Sequence, residues 1–130
     1  MHLKDINNLH DIQLLVNSFY DRVKIDPLLG PIFHGIIRDQ WPAHLDKMYR
    51  FWETVLLDAH TYQGAPFLPH ASMPLEQQHF HRWISLFHGT IDEHFSGEKA
   101  ERAKWQASKM ASLFLNKIQY YQNKPSKPLL

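Results

Sequence analysis

Ten histidines in 130 residues are the first feature that could do chemistry. They stand at positions 2, 10, 34, 44, 60, 70, 79, 81, 88 and 94. A zinc site built on one helix needs two histidines at i and i+4, sharing a face. No pair here is three or four positions apart. His81 and His88 share a helical face but lie two turns apart, about 10 Å at ~1.5 Å rise per residue. One metal cannot bridge that distance, and HExxH is absent. Nucleophile motifs are missing too: there is no G-x-S-x-G and no glycine-rich phosphate loop. What stands out instead is one imidazole, His70, inside PFLPHASMP (66–74), among three prolines. Proline fixes φ and removes a backbone donor, so this segment is short, stiff and unsuited to a long helix.

Three further residues with polar tips lie on the apolar stripes of separate helices: Tyr20, His44 and Trp83. Taken singly, each is an ordinary core residue whose polar atom finds a partner. Together they are harder to treat so, because an unsatisfied buried donor costs ~1–3 kcal/mol.

The elements that must position them follow from hydrophobic periodicity, which is helical nearly throughout. A first stripe runs Leu9, Ile12, Leu15, Val16, Phe19, Tyr20, Val23 and stops near Asp26, before Pro27. The LLGP that follows predicts a short tight piece through Phe33, then a loop over 34–40 containing Gly35. Pro42 suits the first turn of a second long helix, with Trp41, His44, Leu45, Met48, Phe51, Trp52, Val55 and Leu56 inward. Residues 58–74 form a long connection rich in Pro and Gly, a length that tends to be functional. Pro74 opens a third long helix, with Ser72 as its cap and Phe80, Trp83, Ile84, Phe87, Ile91 and Phe95 on its stripe. Ser96-Gly97 breaks it, and a fourth helix follows from about Glu98 to Tyr121. The expected fold class is therefore all-α, a single domain with its core over about 9–121 and a flexible tail at 122–130.

Composition narrows the function. The formal charge is +1 and both signs are dispersed, which argues against nucleic acid, since phosphate binding needs a concentrated basic face. The cluster Lys99–Lys104, broken by Glu101, reads as a solvated helix face. The absence of cysteine removes disulfides, thiolate chemistry, iron–sulfur clusters and the covalent attachment of haem. No apolar run approaches the ~20 residues of a membrane span, and no signal peptide is evident at MHLKDINNLH. Cytoplasm is the expected location. Seventeen aromatics (eight Phe, five Tyr, four Trp) suit either a large flat ligand or a well-packed helical core.

Four stretches in register, FYDRVKIDPLLGPIF (19–33), WPAHLDKMYRFW (41–52), LPHASMP (68–74) and FHRWISLF (80–87), make the chain resemble a truncated haemoglobin of the third group. The resemblance spans nearly the whole chain, and the absence of any Gly-Gly pair agrees with the third group. It implies a two-over-two helical sandwich around non-covalent haem b. It places His70 as the proximal metal ligand, leaving a five-coordinate iron. Tyr20, His44 and Trp83 become the distal, ligand-stabilising residues, and Phe33, Met48, Trp52 and Phe80 the pocket wall. Arg82, Tyr62 or another group would serve the propionates.

The function so implied is reversible binding of oxygen, nitric oxide, carbon monoxide or peroxide. A diatomic ligand on ferrous iron gains partial negative charge, so O–H and N–H donors hold it. Two such bonds slow ligand loss by roughly tenfold to a few hundredfold. That favours diatomic or peroxide chemistry, or sensing, over bulk oxygen transport. Peroxidase or nitric oxide dioxygenase-like turnover would need an external reductase, since no reductase domain is present. A monomer or weak homodimer is expected. Two other classes fit the residues alone: a non-haem helical module for an apolar small molecule or protein partner, and an enzyme with a metal held by distant histidines.

Overall fold

The computed structural model describes residues 2–62 and 75–123, with side chains described as far as residue 120. Five helices account for most of them: α1 (Leu9–Ile25), α2 (Gly30–Ile37), α3 (Trp41–Leu57), α4 (Gln77–His94) and α5 (Glu98–Asn123). No strand occurs among the described residues. Helix α1 packs on α3, and α4 packs along α5. Contacts of α1 with α4 and of α3 with α5 join the two pairs. This is an all-α sandwich of two helices over two.

Helix α1 forms as its stripe predicts. Asn8 caps it, accepting from the Asp11 amide at 3.0 Å, and Ile12, Leu15, Val16, Phe19, Tyr20 and Val23 are all buried. The helix ends ahead of Pro27, and the Asp26 amide returns to the Val23 carbonyl. A close turn then brings Gly30 against the end of α1. A Cβ there would sit 2.8 Å from the Lys24 carbonyl oxygen, so only glycine fits.

Two expectations need correction. The short piece after Pro27 does not stop at Phe33; α2 continues to Ile37, over most of the expected loop. Pro31 is compatible with its first turn, Ile37 is buried at its far end, and Gly35 lies where nothing crowds it. The third long helix begins at Gln77 rather than at Pro74. Glu76 caps it in a reciprocal box: its side chain takes the His79 amide while His79 Nδ1 accepts from the Glu76 amide at 2.9 Å. Ser72 and Pro74 lie outside the described residues.

The main core joins α1, α3, α4 and α5 through Leu15, Phe19, Val23, Trp52, Leu56, Phe87, Ile91 and Ala107. It also takes in Ile6, fully buried ahead of α1. Asp5 fixes that leading arm to the start of α5, accepting from the amides of Lys99 and Ala100 at 2.9 Å each. Gly97, at φ 143°, lets the two segments meet, because a Cβ there would strike the Asp5 side chain. A second, smaller cluster holds Leu75, Phe80, Ala111 and Ile118.

Candidate functional site

Tyr20 enters the core from the inner face of α1 and is 6% exposed. Four rings meet it edge-on: Phe19 at 4.9 Å, His44 at 5.0 Å, Trp41 at 5.9 Å and Phe33 at 6.1 Å between centroids. The quadrupoles of aromatic rings favour such edge-to-face packing. Burial pushes the phenol well above its ordinary pKa, so the hydroxyl keeps its proton and remains a donor. His44, one turn into α3, is half-buried, and its Nε2 is shielded from solvent. It stands perpendicular to both Tyr20 and Trp41, which puts two residues of the expected distal set in ring contact.

Trp83 reaches the same region from α4 by a different route. It stacks on Phe87 at 5.4 Å with the planes 3° apart, and Phe87 stacks on Trp52 at 5.0 Å. Phe19 meets Trp83 at 5.5 Å and Tyr20 at 4.9 Å, so it links the two groups of rings. Phe33 and Met48 pack half-buried against the main core, and Trp52 lies within it. Phe80 stands apart, in the smaller cluster with Leu75, Ala111 and Ile118. His70 lies outside the described residues. No group of three metal-ligating side chains occurs among the described ones.

Arg82 has a partner within the protein. Its Nε donates to Asp26 Oδ1 at 2.5 Å, tying α4 to the turn between α1 and α2. The other oxygen of Asp26 accepts from the Leu28 and Leu29 amides at 3.1 and 2.9 Å. Burial works strongest on this carboxyl and would raise its pKa; the two amides and Arg82 outweigh it and hold the value below the ordinary one. Tyr62, the other residue named for the propionates, packs its ring on Phe51 at 5.2 Å, and burial raises its phenol.

Sequence reasoning passed over Trp41 and Phe87, which join the site residues to one another. Their signals were there: Trp41 is three positions before His44 and Phe87 four after Trp83, both on one helical face. A tryptophan or phenylalanine on an apolar stripe ordinarily reads as core.

A family model for bacterial-like globins matches residues 5–116. The chain belongs to that family. It is 31% identical over 118 residues to the group 3 truncated hemoglobin ctb of Campylobacter jejuni, covering 88% of this chain and 93% of that protein. The crystal structure of a group III truncated hemoglobin from Campylobacter jejuni matches with a TM-score of 0.83 at 31% identity, over 93% of this chain and 98% of that one. The globin is thus a truncated haemoglobin of the third group, and haem binding follows from the family.

The side chains of this globin suit such a group. Phe33, Leu45, Met48, Phe51, Val55 and Trp83 pack against the core yet remain only half-buried. On the long α3 just Trp52 and Leu56 are fully covered, against seven residues on α1 of the same length. A large flat apolar ligand fits a face of that kind, beside the phenol of Tyr20.

Proposed function

We propose that this globin carries non-covalent haem b on His70 and holds a diatomic ligand or peroxide with Tyr20, His44 and Trp83. The observation that carries the reading is the buried phenol of Tyr20, set edge-on to His44 at 5.0 Å beside the half-covered apolar face of α3. Haem, when bound, supplies an iron that takes such ligands and exchanges electrons with them. Tyr20 supplies an O–H that burial keeps protonated, and Trp83 an indole N–H. A donor offered to a ligand of partial negative charge is worth ~1.5–3 kcal/mol, against ~0.5–1.5 for a neutral pair. Phe33, Met48 and Trp52 form the apolar wall that excludes water from these bonds, and Phe80 lies in the smaller cluster. His44 completes the polar set and can serve as a third donor.

A ligand held by two or three donors leaves slowly, which suits oxygen, nitric oxide or peroxide chemistry, or sensing, rather than delivery of oxygen. Turnover draws electrons from an external reductase. No described helix is long and apolar enough to cross a membrane, and cytoplasmic placement is part of the proposal.

Purified protein mixed with hemin should show a Soret band, and His70→Ala should lose it. Colourless parent protein that fails to take up hemin would reject the haem assignment. Tyr20→Phe should keep the band and raise the oxygen dissociation rate roughly ten- to hundredfold, the effect of one lost bond to a charged acceptor. A rate unchanged or slower would remove Tyr20 from the donor set.

A further inference from the structure

Trp41 lies between solvent and the polar pair. Its ring meets Tyr20 and His44 at 5.9 Å each on the inner side, and the exposed His34 at 5.6 Å on the outer side. The ammonium of Lys24 sits over the ring, 4.5 Å from its centroid. Three helices thus converge on this indole: α1 through Tyr20 and Lys24, α2 through His34, and α3 through Trp41 itself. His34 Nε2 lies 3.1 Å from the Lys24 carbonyl oxygen, which holds the outer side of the cluster together. Trp41 has a cation and an exposed imidazole on one side and the buried phenol and imidazole on the other.

The link just before Trp41 is short and strained. A three-residue link, Arg38–Gln40, separates α2 from α3, and Arg38 sits at φ 56°, ψ −119°. That backbone conformation is strained for a residue with a side chain. Gln40 caps α3 without a side-chain hydrogen bond, and Pro42 removes a donor from the first turn. Trp41 packs on the edge of the main core, and the link before it is held by the Arg38 amide on the His34 carbonyl and the Gln40 amide on the Ile37 carbonyl, at 3.0 Å each.

We infer that Trp41 is the door through which small neutral ligands reach Tyr20 and His44, with Lys24 as its latch and the strained Arg38 link as its hinge. This rests on the haem reading above. A swing of the indole away from Lys24 uncovers His44 and relaxes Arg38; its return closes the site. A door alters entry and escape together and leaves affinity nearly constant. Loss of a ligand donor changes escape alone.

Flash photolysis of the carbon monoxide complex of the full chain tests this. Lys24→Gln should speed both entry and escape by about two- to fivefold, the worth of one exposed cation–π contact. Trp41→Ala should speed both further, and Arg38→Gly, which relieves the strain of the closed link, should slow both. A second readout is independent of rebinding. In protein labelled with 5-fluorotryptophan, the Trp41 resonance is identified by its loss in Trp41→Phe. Its exchange broadening should report faster motion in Lys24→Gln and slower motion in Arg38→Gly. Parent-like rates and an unchanged Trp41 resonance in Lys24→Gln, with the Soret band intact, overturn the door alone. Faster exchange in Arg38→Gly overturns it as well, whereas a parent that binds no haem removes the haem reading and the door together.

Discussion

A carboxylate withdrawn from water is costly unless donors surround it, and Asp26 shows how this globin meets that cost. Its side chain is 1% exposed, while its ion-pair partner Arg82 remains 47% exposed. The amides of Leu28 and Leu29 supply the other donors. Asp26→Asn keeps the volume and one acceptor but removes the charge. It should lower stability by ~1–3 kcal/mol, read as a lower urea midpoint at pH 7 with an unchanged slope. The lost bond also loosens the first turns of α4, next to Trp83, so the fluorescence of folded Asp26→Asn should shift. Individual residues differ in how readable they are from sequence. Tyr20, His44 and Trp83 stand out because a polar tip on an apolar stripe breaks a pattern. Asp26 and Arg82 do not, since 56 positions separate them and nothing local links a carboxylate to so distant a guanidinium.

Glycine has opposite meanings at the two places where α2 carries it. At Gly30 a Cβ would lie 2.8 Å from the Lys24 carbonyl oxygen and 3.3 Å from that of Val23, both rigid backbone. Gly30→Ala must part α2 from α1 and should cost ~1–3 kcal/mol, comparable to overpacking a core. At Gly35 no atom would lie within 4 Å, and the residue sits in helix. Gly35→Ala should therefore stabilise by ~0.4–1 kcal/mol, mainly by restricting the unfolded chain. Thermal melts of the two variants should move in opposite directions. The same contrast explains why the long helices could be read and α2 could not. Helices α1 and α3 announce themselves by 17-residue stripes, whereas α2 has eight residues, a proline and two glycines. Its persistence to Ile37 depends on burial of that side chain, which no local propensity records. The cap of α4 was similarly hidden, because histidine takes the place that Glu or Gln ordinarily holds in a capping box.

Across the whole molecule, stability at low pH depends on carboxylates that tie segments of the chain together, near and far. Asp5 joins the leading arm to α5, Asp11 binds Lys4 and the Asn7 amide, and Asp26 joins the α1–α2 turn to α4. At each, burial is the strongest single influence and opposes ionisation, yet the hydrogen bonds and nearby cations outweigh it. All three carboxyls therefore lie below their reference value of 3.8 in the folded protein. The unfolded chain then binds more protons than the folded one near pH 4, so stability from these groups is complete above that pH. It is lost as pH falls through the depressed folded values. Urea midpoints should thus fall steeply below about pH 4, after these groups contribute a flat profile between pH 5 and 7. Asp5→Asn should lower the midpoint at pH 6 and flatten the acid limb, because one of the three proton-linked contacts is gone. An acid limb as steep as the parent's would mean that the arm is held by the buried Ile6 and by the Ser96 amide on the Lys4 carbonyl, without its carboxylate. Sequence gave no hint of this clasp: Asp5 reaches amides 94 and 95 positions away, and a lone aspartate ahead of a helix reads as a local cap. Contacts that close the ends of a chain are set by the assembled sandwich, and so is the pH at which it opens.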